Sequence, residues 1–203
     1  MTFYKITHLK QRSKKWKDWR KGVIGASDAP TIMGDNPWKH ENELFEEKVG
    51  LIPEFSGNSK TEEGIKLEPK ARKIIENLHG IRLKPVIAQD SKYPFLAASL
   101  DGIDRRHELL VEIKCGEYAY EVAKSKKDVP EYYYAQLQHM LMVTKLDQIH
   151  YYSYRPNKEL LEFIIDRDKG YIKMLQKVEF DFVDRLNNHG HNMLDKFMGR
   201  KVS

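Results

Sequence analysis

Two carboxylates and an amine stand at chemically useful spacings in residues 95 to 115, Phe95-Leu-Ala-Ala-Ser-Leu-Asp101-Gly-Ile-Asp-Arg-Arg-His-Glu-Leu-Leu-Val-Glu112-Ile-Lys114-Cys115. Leu109, Val111, Ile113 and Cys115 alternate with Leu110, Glu112 and Lys114, so a strand puts the acid and the amine side by side on one face. A hairpin turn centred between Arg106 and His107 sets Asp101 opposite Glu112 on that same face. Carboxylates at cross-strand distance repel, and either a proton or a cation must sit between them. Magnesium prefers a few carboxylate oxygens, a carbonyl and waters, which Asp101, Glu112 and the Ile113 carbonyl could begin to supply. Lys114 then stands where it could orient or deprotonate a water. The bland alternative is a surface hairpin with a cross-strand charge pattern, since Glu-x-Lys is common on its own.

Other elements must bring partners to this hairpin. Ser59-Lys-Thr-Glu62 reads as a capping box opening a long helix to about Leu78, with Gly80 just beyond. Ala71, Ile74, Ile75 and Leu78 form its apolar stripe, and Glu68 is carried on that stripe. A carboxylate facing the core needs a metal or a basic partner. Pro69 should kink this helix or begin a new segment. Ile81 to Gln89 reads as a strand with an edge or bulge at Pro85. Residues 117 to 129 read as a polar connection whose Lys124, Lys126 and Lys127 are solvated or touch phosphate. Asp128 and Pro130 signal a helix through Val143, with Leu137, Met140, Leu141 and Thr144 inward and Gln136 bordering the core. That amide could touch a nucleic-acid backbone, hold a water, or simply bond a neighbouring helix.

Toward the N-terminus, residues 13 to 21 predict a short basic helix stopped by Gly22, with Trp16 and Trp19 on one face. Ile24-Gly-Ala-Ser27-Asp28-Ala-Pro-Thr-Ile-Met33-Gly34 predicts a short capped helix whose free N–H groups could meet an anion, with Ser27 adding a hydroxyl. Asn36-Pro37-Trp38 is a turn, and Glu41 to Val49 a helix closed by Gly50. At the other end come two strands, Gln148 to Tyr154 and Leu160 to Asp166, and a helix from Lys169 to about Asn187. His189 and His191 straddle Gly190 as dipole partners of that helix, and Met193 to Ser203 reads as a frayed basic end.

Composition narrows the classes. The 203 residues make one domain, 1–203, with 40% hydrophobic and 32% charged residues and no apolar run near the ~20 residues a membrane helix needs. The expected home is the cytoplasm, because the first residues lack the apolar run of a secretion signal. One cysteine cannot form an internal disulfide, and with eight scattered histidines it offers no zinc pattern, so any metal chemistry runs on oxygen ligands. A net charge of +5 and a pI near 9.0 suit a polyanionic partner.

The order helix, three strands, helix, strand, carrying Glu68, Asp101, Glu112-x-Lys114 and Gln136, resembles the PD-(D/E)XK nuclease core, an α/β (α+β mixed) restriction-endonuclease-like fold with a central mixed sheet flanked by helices. More narrowly, Trp19-Arg20-x-x-x-Ile24-Gly-Ala-Ser27-Asp28, Asn36-Pro37-Trp38, Glu63-Gly64-x-x-Leu67-Glu68-Pro69-x-Ala71-Arg72, Ala98-Ser99-Leu-Asp101-Gly102 and Ala135-Gln136-Leu-Gln138 are similar to the lambda-exonuclease, or YqaJ-type viral recombinase, family. The proline often found before the Asp101 position is Leu100 here.

The resemblance implies a magnesium-dependent exonuclease, with Mn2+ able to substitute and two ions per site. It would digest the 5′-ended strand of linear duplex DNA to mononucleotides and leave a 3′ overhang. It implies a homotrimeric ring and a single-strand annealing partner in phage-type recombination within a bacterial host, with no membrane. Asp101, Glu112 and the Ile113 carbonyl would hold one ion and Glu68 would help hold a second, while Lys114 and Gln136 attend the attacking water. Arg20 and Ser27 would receive the 5′-phosphate, and Ser99 and Gln138 would touch the DNA. An endonuclease of the same superfamily and a non-catalytic DNA-binding module are the alternatives.

Overall fold

The computed structural model describes residues 4–54, 57–104, 106 and 108–190. Seven strands form one mixed sheet: β1 (Tyr4–Thr7), β2 (Ile24–Gly25), β3 (Leu83–Asp90), β4 (Leu96–Asp104), β5 (Leu110–Lys114), β6 (Gln148–Ser153) and β7 (Leu161–Asp166). Their order is β1-β3-β4-β5-β6-β7, with β2 added beside β4. The β5–β6 and β2–β4 pairs are parallel and the others antiparallel. Parallel neighbours require a crossover, and here it consists of α5 (Glu117–Lys126), a 3₁₀ turn (Glu131–Tyr133) and α6 (Tyr134–Thr144). The remaining helices are α1 (Lys14–Arg20), α2 (Ala29–Ile32), α3 (Glu41–Val49), α4 (Ser59–His79) and α7 (Lys169–Asn188).

Helices cover both faces of the sheet. On one face Leu67, Ala71 and Ile75 of α4 pack on Leu83, Val111, Ile113 and Tyr152. On the other, Leu137, Met140 and Leu141 of α6 and Phe182 and Leu186 of α7 pack on Leu96, Leu100, Leu110, Ile149 and Tyr151. The hairpin register matches the alternation: Gly102 opposes Val111 and Ile103 opposes Leu110, the register that sets Asp101 against Glu112. Its turn lies partly outside the described residues, as do His191 and the stretch from Met193 to Ser203. Gly102 answers a steric demand, because a Cβ there would sit 2.7 Å from Val111 Cγ2 and 3.0 Å from Leu83 Cβ. The ladder shifts register between Lys84 and Val86, the bulge expected at Pro85.

Several elements differ from the expectation. Residues 117–126 are a helix rather than a loop: Ala119, Tyr120 and Ala123 form a buried stripe too small to stand out beside the lysines. The next helix begins at Tyr134 after the 3₁₀ turn, and residues 135–144 are all buried because the sheet, α2 and α7 surround it. In α4 the side chain of Asn58, not Ser59, accepts the capping hydrogen bond from Thr61 N at 3.0 Å. The helix continues through Pro69, and its buried face is Leu67, Glu68, Ala71 and Ile75, while Ile74 and Leu78 are exposed. Strand β1 had no distinct signal, being four residues long with only Tyr4 buried.

One buried charged pair braces the sheet from behind. His139 Nδ1 lies 2.6 Å from Glu179 Oε1, and Nε2 donates to Ala97 O at 3.0 Å. Burial alone would lower the imidazolium pKa, but Glu179 and the two hydrogen bonds outweigh it and raise it above the ordinary 6.5. A raised folded value contributes stability that is full below 6.5 and lost as pH rises through the folded value. The unfolding midpoint should therefore fall as pH climbs from 6.5 through the folded value, and Glu179→Gln should lower and flatten the profile. A profile in Glu179→Gln parallel to wild type would contradict the assignment.

Candidate active site

Strand β4 changes partners along its length. It pairs with β5 at Gly102 and Ile103, then with β2 at Leu96 and Ala97. Ala98, Ser99 and Asp101, between the two, line a cleft of ≈ 410 Å³ together with Glu68, Glu112, Ile113, Lys114, Tyr133, Gln136, Arg20 and Ser27. In place of a ladder bond, Ile113 N donates to Asp101 Oδ2 at 2.9 Å. The Ile113 carbonyl points to the same strand edge as its N–H, toward Asp101.

Glu112 is buried, with Oε1 2.7 Å from Lys114 Nζ and accepting from Gln136 Nε2 at 2.7 Å. Lys114 also donates to Gln136 Oε1 at 3.2 Å and sits 4.5 Å above the Tyr133 ring. Loss of hydration raises the Asp101 carboxyl well above its ordinary range, and Glu112 and Glu68 push the same way against Lys114 and the Ile113 N–H. Burial would lower the Lys114 amine, but Glu112, Tyr133 and Asp101 outweigh it and hold the ammonium above the ordinary lysine range. The Cys115 thiol on the same wall is pushed up to about 12 by burial, then by Asp101 and Glu68.

Glu68 faces inward as its stripe predicted, and the basic partner is what it meets. Arg12 Nη2 donates to Glu68 Oε2 at 2.7 Å, and Arg72 bonds the other oxygen while its Nε donates to Asp101 O at 2.6 Å. Among the described residues no group of three or more His, Cys, Asp or Glu side chains is placed to hold a metal ion. The donor set nonetheless fits one hard cation: Glu112 Oε2 is buried without a hydrogen-bond partner among the described residues, Asp101 is electrostatically unrelieved, and a carbonyl faces the same edge. At Glu68, where the resemblance implies a second ion, both carboxylate oxygens are held by guanidinium groups.

The other end of the cleft is built on α1 and the 3₁₀ turn Ala26–Asp28. Arg20 Nη1 and Nη2 donate to Asp28 Oδ2 and Oδ1 at 2.9 and 2.8 Å, and Nη2 to exposed Ser27 Oγ at 2.7 Å. Gly25 allows that approach, since a Cβ there would lie 2.5 Å from Arg20 Nη1. Burial would raise the Asp28 carboxyl, yet Arg20, Lys48 and the Gly25 N–H hold it well below the usual range. Trp16 and Trp19 wall this end as the helix face predicted.

Gln138 does not join the cleft. It is fully buried, donating to Asp166 O at 2.8 Å and accepting from Asp168 N at 3.0 Å. Two residues on from Gln136, it points to a different side of α6, so one motif serves two faces. Ser99, Arg20, Ser27 and Gln136 do reach the cleft. Arg12, Lys48 and Tyr133 carried no signal in the sequence, whereas Arg72 stands one helical turn from Glu68 and could have been paired with it.

The repulsion at Asp101 makes a prediction. Asp101→Asn should melt no lower than wild type in chelator at neutral pH, because it removes a buried charge that its neighbours oppose. Divalent cations should raise the wild-type melting point and leave the variant unmoved; an equal rise in both would sink the ligand assignment.

The model of the YqaJ-like viral recombinase domain matches residues 15–147, which include every cleft residue expected from the motifs. The chain is 29% identical over 174 residues to the uncharacterized protein YqaJ of Bacillus subtilis (strain 168), covering 83% of this chain and 54% of that one. It is 27% identical over 159 residues to the uncharacterized protein R354 of Acanthamoeba polyphaga mimivirus, covering 71% and 29%. It thus spans about half of the first relative and under a third of the second. The fold is similar to that of an alkaline exonuclease (LHK-Exo) from Laribacter hongkongensis, with TM-score 0.76, 20% identity, and coverage of 92% of this chain and 99% of that one. A phage related exonuclease from Haemophilus somnus 129PT matches with TM-score 0.57 and 18% identity, covering 82% and 96%. With the domain model spanning well over half its length, this chain belongs to the YqaJ-like viral recombinase family.

Proposed function

We propose that the protein is a magnesium-dependent 5′-to-3′ exonuclease on linear double-stranded DNA, releasing mononucleotides and leaving 3′ overhangs for phage-type recombination. The observation that carries this reading is the convergence of Asp101, Glu112, Lys114 and Gln136 with Arg20 and Ser27 in one cleft. Asp101, Glu112 and the Ile113 carbonyl would hold the cation, with Glu68 available to a second if Arg12 and Arg72 yield it. When bound, the metal supplies Lewis acidity at phosphorus and offsets the paired carboxylates.

The chain's own groups do the rest. Gln136 bridges Glu112 and Lys114, so the ammonium is fixed in direction before substrate arrives. Lys114, paired with Glu112 and donating to Gln136, would orient or deprotonate the attacking water. Arg20 and Ser27 present donors to a terminal phosphate and thereby set which bond reaches the carboxylates. Ring assembly of three copies and a single-strand annealing partner go with this reading.

The direct test is a linear duplex labelled at either end, beside a closed circle, with and without magnesium. Release of the 5′ label in magnesium, recovered with manganese, and an intact circle are expected. A cut circle would instead establish an endonuclease. Lys114→Ala should lower the rate at least ~100-fold, the usual range for a positioned acid–base group, with duplex affinity little changed. Equal losses of rate and affinity would reduce Lys114 to a phosphate contact.

A further inference from the structure

The terminal-phosphate pocket takes its charge from a residue that does not line it. Arg20 alone cannot make the pocket positive, because Asp28 meets its guanidinium in a two-point pair at 2.9 and 2.8 Å, neutral as a unit. Beyond Asp28, the carboxylates felt at Arg20 are half-buried Glu54, and Glu47, which is paired with Lys39. Left so, the region would repel a phosphate.

Lys48, on α3, offsets that charge. Its Nζ lies 2.9 Å from Asp28 Oδ2 and donates to Val23 O at 2.7 Å and Arg20 O at 3.2 Å. Both carbonyls can only accept, and the carboxylate is ionised against Arg20, so three hydrogens on the nitrogen satisfy the site. Burial and the neighbouring Arg20 lower the Lys48 amine below the ordinary lysine range and Asp28 raises it, and with its side chain 3% exposed its three acceptors are matched by the three hydrogens of an ammonium. Capping two carbonyls at the end of α1 needs donors but no charge, and burying a charge is costly even when it is paired. The charge is what the capping role leaves unexplained.

We propose that Lys48 is the positioning residue whose positive charge offsets the carboxylates around the Arg20–Ser27 pocket and so lets it favour a 5′-phosphorylated end over a 5′-hydroxyl. The inference rests on reading that pocket as the terminal-phosphate site. Lys48 and Arg20 Nη1 share the same Asp28 oxygen, so the ammonium draws on a carboxylate charge that would otherwise be spent wholly on the guanidinium. A 5′-phosphate carries about −1.5 to −2 charge where a 5′-hydroxyl carries none, so the charge around the pocket discriminates between the two ends.

The test is the ratio of digestion rates on matched duplexes with 5′-phosphate and 5′-hydroxyl ends, at fixed salt because backbone contacts are salt-dependent. Wild type should favour the phosphate, and Arg20→Ala should lose that preference. Lys48→Met should shrink the ratio at least about tenfold, the order expected of one unit charge acting within a partly buried site, and Lys48→Arg should restore most of it. A purely structural Lys48 would lower both rates together and leave the ratio standing, which overturns the proposal. A wild-type ratio near one would overturn the pocket reading itself. Should Lys48→Met not fold, Lys48→Gln, which keeps a donor for the carbonyls, carries the same comparison. Inorganic phosphate should also inhibit wild type on phosphorylated ends more than on hydroxyl ends; no such difference would argue against a phosphate-selective pocket.

Discussion

Backbone register forces two carboxylates together, and the surrounding cleft is arranged around that repulsion. Asp101 and Glu112 cannot move apart, because Gly102 and Ile103 are bonded opposite Val111 and Leu110 and a glycine lets the strands close. The protein meets the resulting field with cations of its own. Lys114 pairs with Glu112, and Arg12 and Arg72 hold Glu68. Three carboxylates face three fixed cations, so the protein's own charges in the cleft come close to cancelling. Any bound divalent cation then makes the cleft net positive, which suits a polyanion better than the empty state does.

The two ends of the cleft are tied to one strand. Ala97, beside Gly25, and Asp101, beside Glu112, are four residues apart on β4, roughly 13 Å at the rise of an extended chain. Because a paired strand is stiff, that separation fixes the distance between the Arg20–Ser27 end of the cleft and the carboxylates. On loops the same groups would vary in separation. Here the spacing is covalent, and only the side chains at either end can adjust.

What was legible in the sequence depended on whether a local pattern or a long-range contact decided the outcome. The two-residue alternation of 109–115 gave both the face shared by Glu112 and Lys114 and the register with Asp101, and the helical phase of Glu68 placed it inward. These are short-range geometric facts. Arg12 reaches Glu68 and Lys48 reaches Asp28 across separate elements, and nothing in their own neighbourhoods announces it. Helix α5 was hidden for another reason, since its buried stripe is two alanines and a tyrosine among lysines. Gln138 shows the opposite error: membership in a motif was taken for membership in the site, when two residues along a helix turn a side chain away.

Buried charge is the feature that ordinary fold-building rules least expect, and here much of it clusters around one strand. Glu179 grips His139, whose Nε2 donates to Ala97 O. Ala97 pairs with Gly25, whose N–H donates to Asp28 at 3.0 Å, and Asp28 in turn holds Arg20. A run of polar contacts therefore crosses from α7 through α6 and the β2–β4 junction to the Arg20–Ser27 end of the cleft. An apolar core could have filled the same space at lower electrostatic cost, but it could not orient the guanidinium. The charged route fixes Arg20 from behind, through hydrogen bonds that specify direction as well as distance, and leaves its outer face to the cleft.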